Sequence, residues 1–97
     1  MNSRSILIEK YIKPSETQFI NGSFVERWFD RNVDSHSFMG QPAFVQYYKG
    51  QIETQHWDKK DKRHREKDLP AVIYYNNGRI IIQEWYKKGK IIKIERY

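Results

Sequence analysis

The feature that most constrains this chain is that it repeats itself. Pro42-Ala43 and Pro70-Ala71 stand 28 positions apart (70 − 42), and that offset also lays Tyr47 on Tyr75, Gly50 on Gly78, Ile52 on Ile80, Gln55 on Gln83, Trp57 on Trp85 and His36 on His64. It carries Pro14 onto Pro42 and Gly22 onto Gly50, so a weaker copy precedes the other two. Trp28 comes one residue early against Trp57, which points to a bulge or a deletion in that first copy. Self-similarity at this period marks stacked supersecondary units, each burying its apolar face against the next. One domain over 1–97, with units at roughly 14–41, 42–69 and 70–97, is the organisation this predicts.

The third unit shows what the units are. Ala71 to Tyr75 and Arg79 to Tyr86 are β-branched and aromatic runs flanking Asn76-Asn77-Gly78. Such residues suit a pleated, half-buried surface, and Asn-Gly supplies the positive φ of a tight hairpin turn. Lys49-Gly50 joins Ala43–Tyr48 to Gln51–Trp57 in the same way, and Asn21-Gly22 joins Thr17–Ile20 to Phe24–Phe29. Lys88-Gly89 turns the chain once more into Lys90–Arg96, so the last three strands form a meander.

The period-2 pattern of Ile6–Ile12 predicts a strand ahead of the first copy. Pro14 to Thr17 reads as a turn, because too few helical residues follow to sustain a helix. Asp30–Gln41 and Asp58–Leu69 read as one recurring loop. The parity of Ala43, Val45 and Tyr47, repeated in Ala71, Ile73 and Tyr75, is the expected inward face. Phe24 and Trp28 oppose Val25 and Phe29, so the strand that carries them should be covered on both sides. The expected fold is all-β: an antiparallel meander of repeated hairpins in one twisted sheet, about seven or eight strands with little or no helix.

Aromatic residues are 15% of a chain that is only 38% apolar, so Trp, Tyr and Phe must carry most of the burial in this small core. No cysteine is present to make a disulfide or a thiolate metal site, which fits a reducing compartment. No apolar run approaches the ~20 residues of a membrane span, and the apolar start at Ile6 breaks off too soon for a signal-peptide core. A cytoplasmic protein is the expectation, with membrane binding disfavoured because no basic amphipathic helix is visible. The net charge of +6, concentrated in Lys59–Lys67, allows attraction to nucleic acid, acidic proteins or anionic lipid without choosing among them.

The pattern Trp57…His64-Arg65…Pro70-Ala71, followed by a hairpin and a second Trp at Trp85, resembles the MORN-like repeats (variants of the membrane occupation and recognition nexus repeat) of bacteriophages and giant viruses. The match spans about Trp28 to Lys90. Ser37 replaces the expected Arg in the first copy, Asp61 stands where a turn Gly is expected, and Ile91-Ile92-Lys93 replace the His-Arg of the last copy. The resemblance implies an extended single-layer sheet and repeat-mediated binding, with no catalytic residues to carry over. In viral members the partner it implies is often unknown; for this chain, if viral, a host protein in the host cytoplasm is the expectation.

The candidate binding residues are Tyr48, Trp57, Arg63, His64, Arg65, Tyr74 and Trp85, since Trp, Tyr and Arg dominate interface hot spots. The His64-Arg65 pair could bind an anion, but its recurrence at the repeat period favours a structural part. His36, His56 and His64 match no compact ligand spacing, so no metal and no cofactor are expected. No phosphate loop or nucleophile motif appears, so no enzyme is expected. The reading that follows is a non-enzymatic protein-binding module that docks on and modulates a host protein, such as a defence factor. The alternative is a binder of nucleic acid or another anionic ligand such as a phospholipid, since basic residues lie among stackable aromatics. Exposed edges at Ile6-Leu7-Ile8 and Ile91–Ile94 could pair with a foreign sheet or form a homodimer.

Overall fold

The tight turns of the sheet share one backbone geometry. In the computed structural model, which describes residues 13–97, Asn77 and Gly78 have φ of 52° and 78°, and Lys88 and Gly89 have 53° and 83°. Two consecutive left-handed residues match the right-handed twist of flanking strands, which is why this turn joins them without splaying. The strand expected at Ile6–Ile12, and the edge at Ile6-Leu7-Ile8, lie outside the described residues.

Nine strands follow: β1 (Glu16–Ile20), β2 (Ser23–Arg27), β3 (Phe44–Tyr48), β4 (Gln51–His56), β5 (Asp58–Lys59), β6 (Lys62–Arg63), β7 (Val72–Asn76), β8 (Arg79–Lys87) and β9 (Lys90–Arg96). Seven of them form one antiparallel sheet in the order β1-β2-β3-β4-β7-β8-β9, open rather than closed into a barrel. No helix occurs among the described residues. The chain is all-β, as the hairpin signals predict.

One expectation is corrected. Asp58–Leu69 is not simply a loop, because β5 and β6 pair within it, Asp58 opposite Arg63 and Lys59 opposite Lys62. The 28-residue offset carries these onto Tyr86↔Ile91 and Lys87↔Lys90 of the β8-β9 hairpin. The turn Lys60-Asp61, with φ of 48° and 66°, does the work of Lys88-Gly89. Asp tolerates the left-handed region because its short side chain can bond locally. Here the Asp61 carboxylate accepts the Ser35 N–H.

The early position of Trp28 has an equally local cause. The β3-β4 register skips Glu53 and the β7-β8 register skips Ile81, each a one-residue bulge. The β1-β2 register runs without a skip, so the first copy lacks the bulged residue. The turn between Phe29 and Ser35 is one residue longer than that between Asp58 and Arg63. The deletion and the insertion cancel, and His36 returns to the repeat phase.

Residues directly opposed across strands share a face. Thr17, Glu26, Val45, Gln55, Ile73, Gln83 and Glu95 form one cross-strand row. Gln18, Val25, Gln46, Thr54, Tyr74, Ile82 and Arg96 form the next row, on the opposite face. The expected inward parity does bury Ala43, Val45, Ala71 and Ile73, but Val25 and Val72 on the other face are 3% and 2% exposed. The core therefore lies on both sides of the sheet. This extends to the neighbouring strands the two-sided cover expected of the segment around β2, where Val25 and, just past the strand, Trp28 are both buried.

Candidate functional site

The chain leaves the sheet twice, each time after a Trp, and returns at an Ala. The N–H of Trp28 donates to the Ala43 carbonyl at 2.9 Å, and that of Trp57 to the Ala71 carbonyl at 2.7 Å. Each excursion then bonds back to its own start, His36 N–H to the Trp28 carbonyl and His64 N–H to the Trp57 carbonyl. Before rejoining, each makes a second left-handed turn, Met39-Gly40 in the first and Lys67-Asp68 in the second. The carbonyls those turns expose are taken by indoles of the next copy. Trp57 Nε1 donates to Gly40 O and Trp85 Nε1 to Asp68 O, both at 2.9 Å. A cation covers each ring, the Arg65 guanidinium 3.7 Å from the Trp57 centroid and Lys93 Nζ 4.6 Å from that of Trp85. Arg65 and Lys93 stand 28 apart, like the indoles they cover.

Asp58 ties the two excursions side by side. Its carboxylate, on a residue only 3% exposed, accepts from Arg63 Nη1 at 2.7 Å and from Ser35 Oγ at 2.6 Å. Its main chain bonds to Ser37 through N–H to Oγ at 3.0 Å and through its carbonyl at 2.7 Å. A buried carboxylate is tolerated when its charge is paired and its oxygens are hydrogen-bonded, and here each oxygen accepts one bond, one of them from a cation. The Asp61 N–H donates to Ser35 O, and the Lys60 N–H to His36 Nδ1.

Between the excursions runs a groove of about 550 Å³, lined by His36, Met39, Trp57, Lys59, Arg65, Lys67 and Leu69 among others. Met39 and Leu69 are 63% and 43% exposed. Lys59, Arg65 and Lys67 outnumber the anions, since Asp58 is neutralised by Arg63 and leaves Glu66 to oppose them. Glu66 Oε1 lies 3.0 Å from His64 Nε2 and 3.8 Å from Lys59 Nζ. Arg65 also donates to the Pro70 carbonyl at 3.1 Å, and burial lowers its pKa from the usual guanidinium value. The groove is amphipathic and weakly positive, of a size that takes a few side chains.

The residues singled out in the sequence do not form one surface. Trp57, His64 and Arg65 meet in the groove. Arg63 and Tyr74 belong to the opposite face. There burial raises the Tyr74 and Tyr86 phenols above their usual range, and Arg63 partly offsets it. Trp85 sits half-buried one copy further on. Tyr48 lies at the far end of β3, 41% exposed, with Lys49 Nζ 5.4 Å from its ring. Met39, Leu69, Lys59 and Lys67 are not among the residues singled out; the Met39-Gly40 and Lys67-Asp68 turns stand 28 residues apart and share a backbone conformation but no residue type, so the repeat does not mark them in the sequence.

The histidines are dispersed. His56 stacks on Phe44 with centroids 4.6 Å apart, on the face opposite Trp57. Burial, with Arg63 adding to it and Asp58 opposing, lowers the His56 pKa to about 4. Among the described residues no three His, Asp or Glu side chains stand close enough together to hold a metal ion, and no helix is long and apolar enough to cross a membrane. Compared with known proteins, the chain matches no family model, no curated protein and no solved structure.

Proposed function

We propose that this chain is a non-enzymatic protein-binding module, and that its groove receives an acidic, partly apolar segment of a partner. The observation that carries the reading is the composition of the groove. Exposed Met39 and Leu69 supply apolar area, and Lys67, with Lys59 and Arg65 outnumbering Glu66, supplies net positive charge on a frame held by Asp58 and the Trp57 indole. Exposed apolar surface next to charge is what a partner with matching chemistry desolvates. His64 and Arg65 stabilise that frame through Glu66, Trp57 and Pro70 and would touch the partner from its floor. If the MORN-like resemblance holds, the partner to seek is a host protein, with the chain acting as a modulator.

The test is a binding titration against a partner identified by affinity purification. Met39→Ser, Leu69→Ser and Lys67→Glu change exposed side chains and should each weaken binding about tenfold, the loss of roughly 1.4 kcal/mol. Phe19→Ser, on the edge strand β1 and outside the groove, should not. Unchanged binding by all three rim variants would remove the groove from the reading. The alternative, a nucleic-acid or anionic-ligand binder, rests on the +6 charge. Oligonucleotide binding whose log K falls with log salt at about −0.7 per phosphate contacted would replace the protein reading with it.

A further inference from the structure

Exposed apolar side chains collect on the last strand. Ile91, Ile92, Ile94 and Tyr97 are 45%, 62%, 41% and 67% exposed. β9 ends the sheet, and its outer edge pairs with no strand among the described residues. Which backbone groups face outward follows from the register. The Tyr97 N–H donates to the Ile81 carbonyl at 2.9 Å, and Glu95 opposes Gln83 while Lys93 opposes Trp85. Bonded and non-bonded positions alternate in an antiparallel ladder, so 93, 95 and 97 bond to β8. The N–H and C=O of Ile94 and Arg96 therefore point away from the sheet.

A second copy approaching antiparallel must set outward groups against outward groups, which leaves three registers near the strand centre. A dyad at Lys93 puts Lys93 opposite Lys93, and a dyad at Glu95 puts Glu95 opposite Glu95; both oppose like charges. A dyad at Ile94 puts Ile94 against Ile94, sets Lys93 against Glu95 on each side, and faces Ile91 with Tyr97. Within one chain Lys93 Nζ already lies 2.9 Å from Glu95 Oε1, so the same two groups need only share their bonds across the edge. Lysine on an edge strand is also how monomers keep their edges apart. The order Lys-Ile-Glu works the other way, because it matches its own reverse.

We propose that β9 pairs with β9 of a second copy about a dyad at Ile94, continuing the sheet through both chains. The contact is isologous and short, about 17 Å of strand at roughly 3.4 Å per residue. An interface that small lies well below the roughly 1,600 Å² of a standard one and implies micromolar association.

Sedimentation velocity from about 1 to about 300 µM, which brackets such a dissociation constant, tests this directly. The parent chain should shift from monomer to dimer across the range. Glu95→Lys opposes like charges and should weaken the dimer at least about tenfold. The swap Lys93→Glu with Glu95→Lys restores opposite charges in this register alone and should recover affinity to within about threefold, circular dichroism confirming that both variants fold. A monomer throughout would overturn the proposal. So would a dimer indifferent to Glu95→Lys, which would place the contact elsewhere, or a folded swap variant as weak as the single one.

Discussion

His56 makes the stability of this fold depend on pH, in a window the structure defines. Its ring lies against Phe44, and burial with the nearby Arg63 cation disfavours the imidazolium, giving a folded pKa of about 4 against an ordinary 6.5. The native state thus prefers the neutral ring, while the unfolded chain takes up a proton near its ordinary value. Stability from this group is complete above pH 6.5, declines as pH falls through the window, and is fully lost below about 4. The gap between the two values corresponds to about 3 kcal/mol, an upper figure because water still reaches part of the ring. Against a total of roughly 5–15 kcal/mol for a chain this size, that is a large share. Urea denaturation followed by tryptophan fluorescence, repeated from about pH 7 to about pH 4, reads the slope. His56→Phe keeps a ring against Phe44 and removes the titration, so its profile should stay flatter than the parent's by that amount. Parallel profiles, or an NMR titration of His56 with a midpoint near 6.5, would refute the reasoning.

Other substitutions probe the frame. Val33 is β-branched, 71% exposed and held at φ 63°, so Val33→Asn should stabilise the chain by about 1 kcal/mol and raise Tm by about 4–8 °C in a calorimetric scan. Trp57 is 5% exposed and Trp85 half-buried, so Trp57→Ala should cost about 3–5 kcal/mol and Trp85→Ala distinctly less in the same urea assay. Arg63→Ala leaves the Asp58 carboxylate with only Ser35 and should cost about 2–3 kcal/mol, discounted because the Arg63 side chain is 35% exposed. Adding Asp58→Asn should recover part of that loss, a coupling of at least about 1 kcal/mol in a double-mutant cycle.

How far the sequence discloses such a site depends on whether a residue's part is fixed by its own turn or by a distant copy. The hairpins were legible because Asn-Gly and Lys-Gly announce a left-handed pair within the residues that form it. The β5-β6 hairpin was not, because Asp61 replaces the glycine and its conformation rests on a bond to Ser35, 26 residues away. The groove was hidden for the same reason: Met39 and Leu69 come together only because Asp58 binds Ser35 and Ser37 across the copies. Parity misled at Val72, since it assumes one dry face and both faces of this sheet carry core. The cancelling deletion and insertion of the first copy show what the chain has to preserve. Copies touch one another at the Lys60-Asp61 and Lys88-Gly89 turns, Asp61 N–H to Ser35 O and, one period on, Gly89 N–H to Arg63 O at 3.0 Å. A residue lost in β2 without the longer turn after Phe29 would move Ser35 by one position and turn its carbonyl away from Asp61. The repeat phase is thus set where units meet, at Ser35 and Arg63, and strand length is free to vary between those points as long as it is made up before the next one.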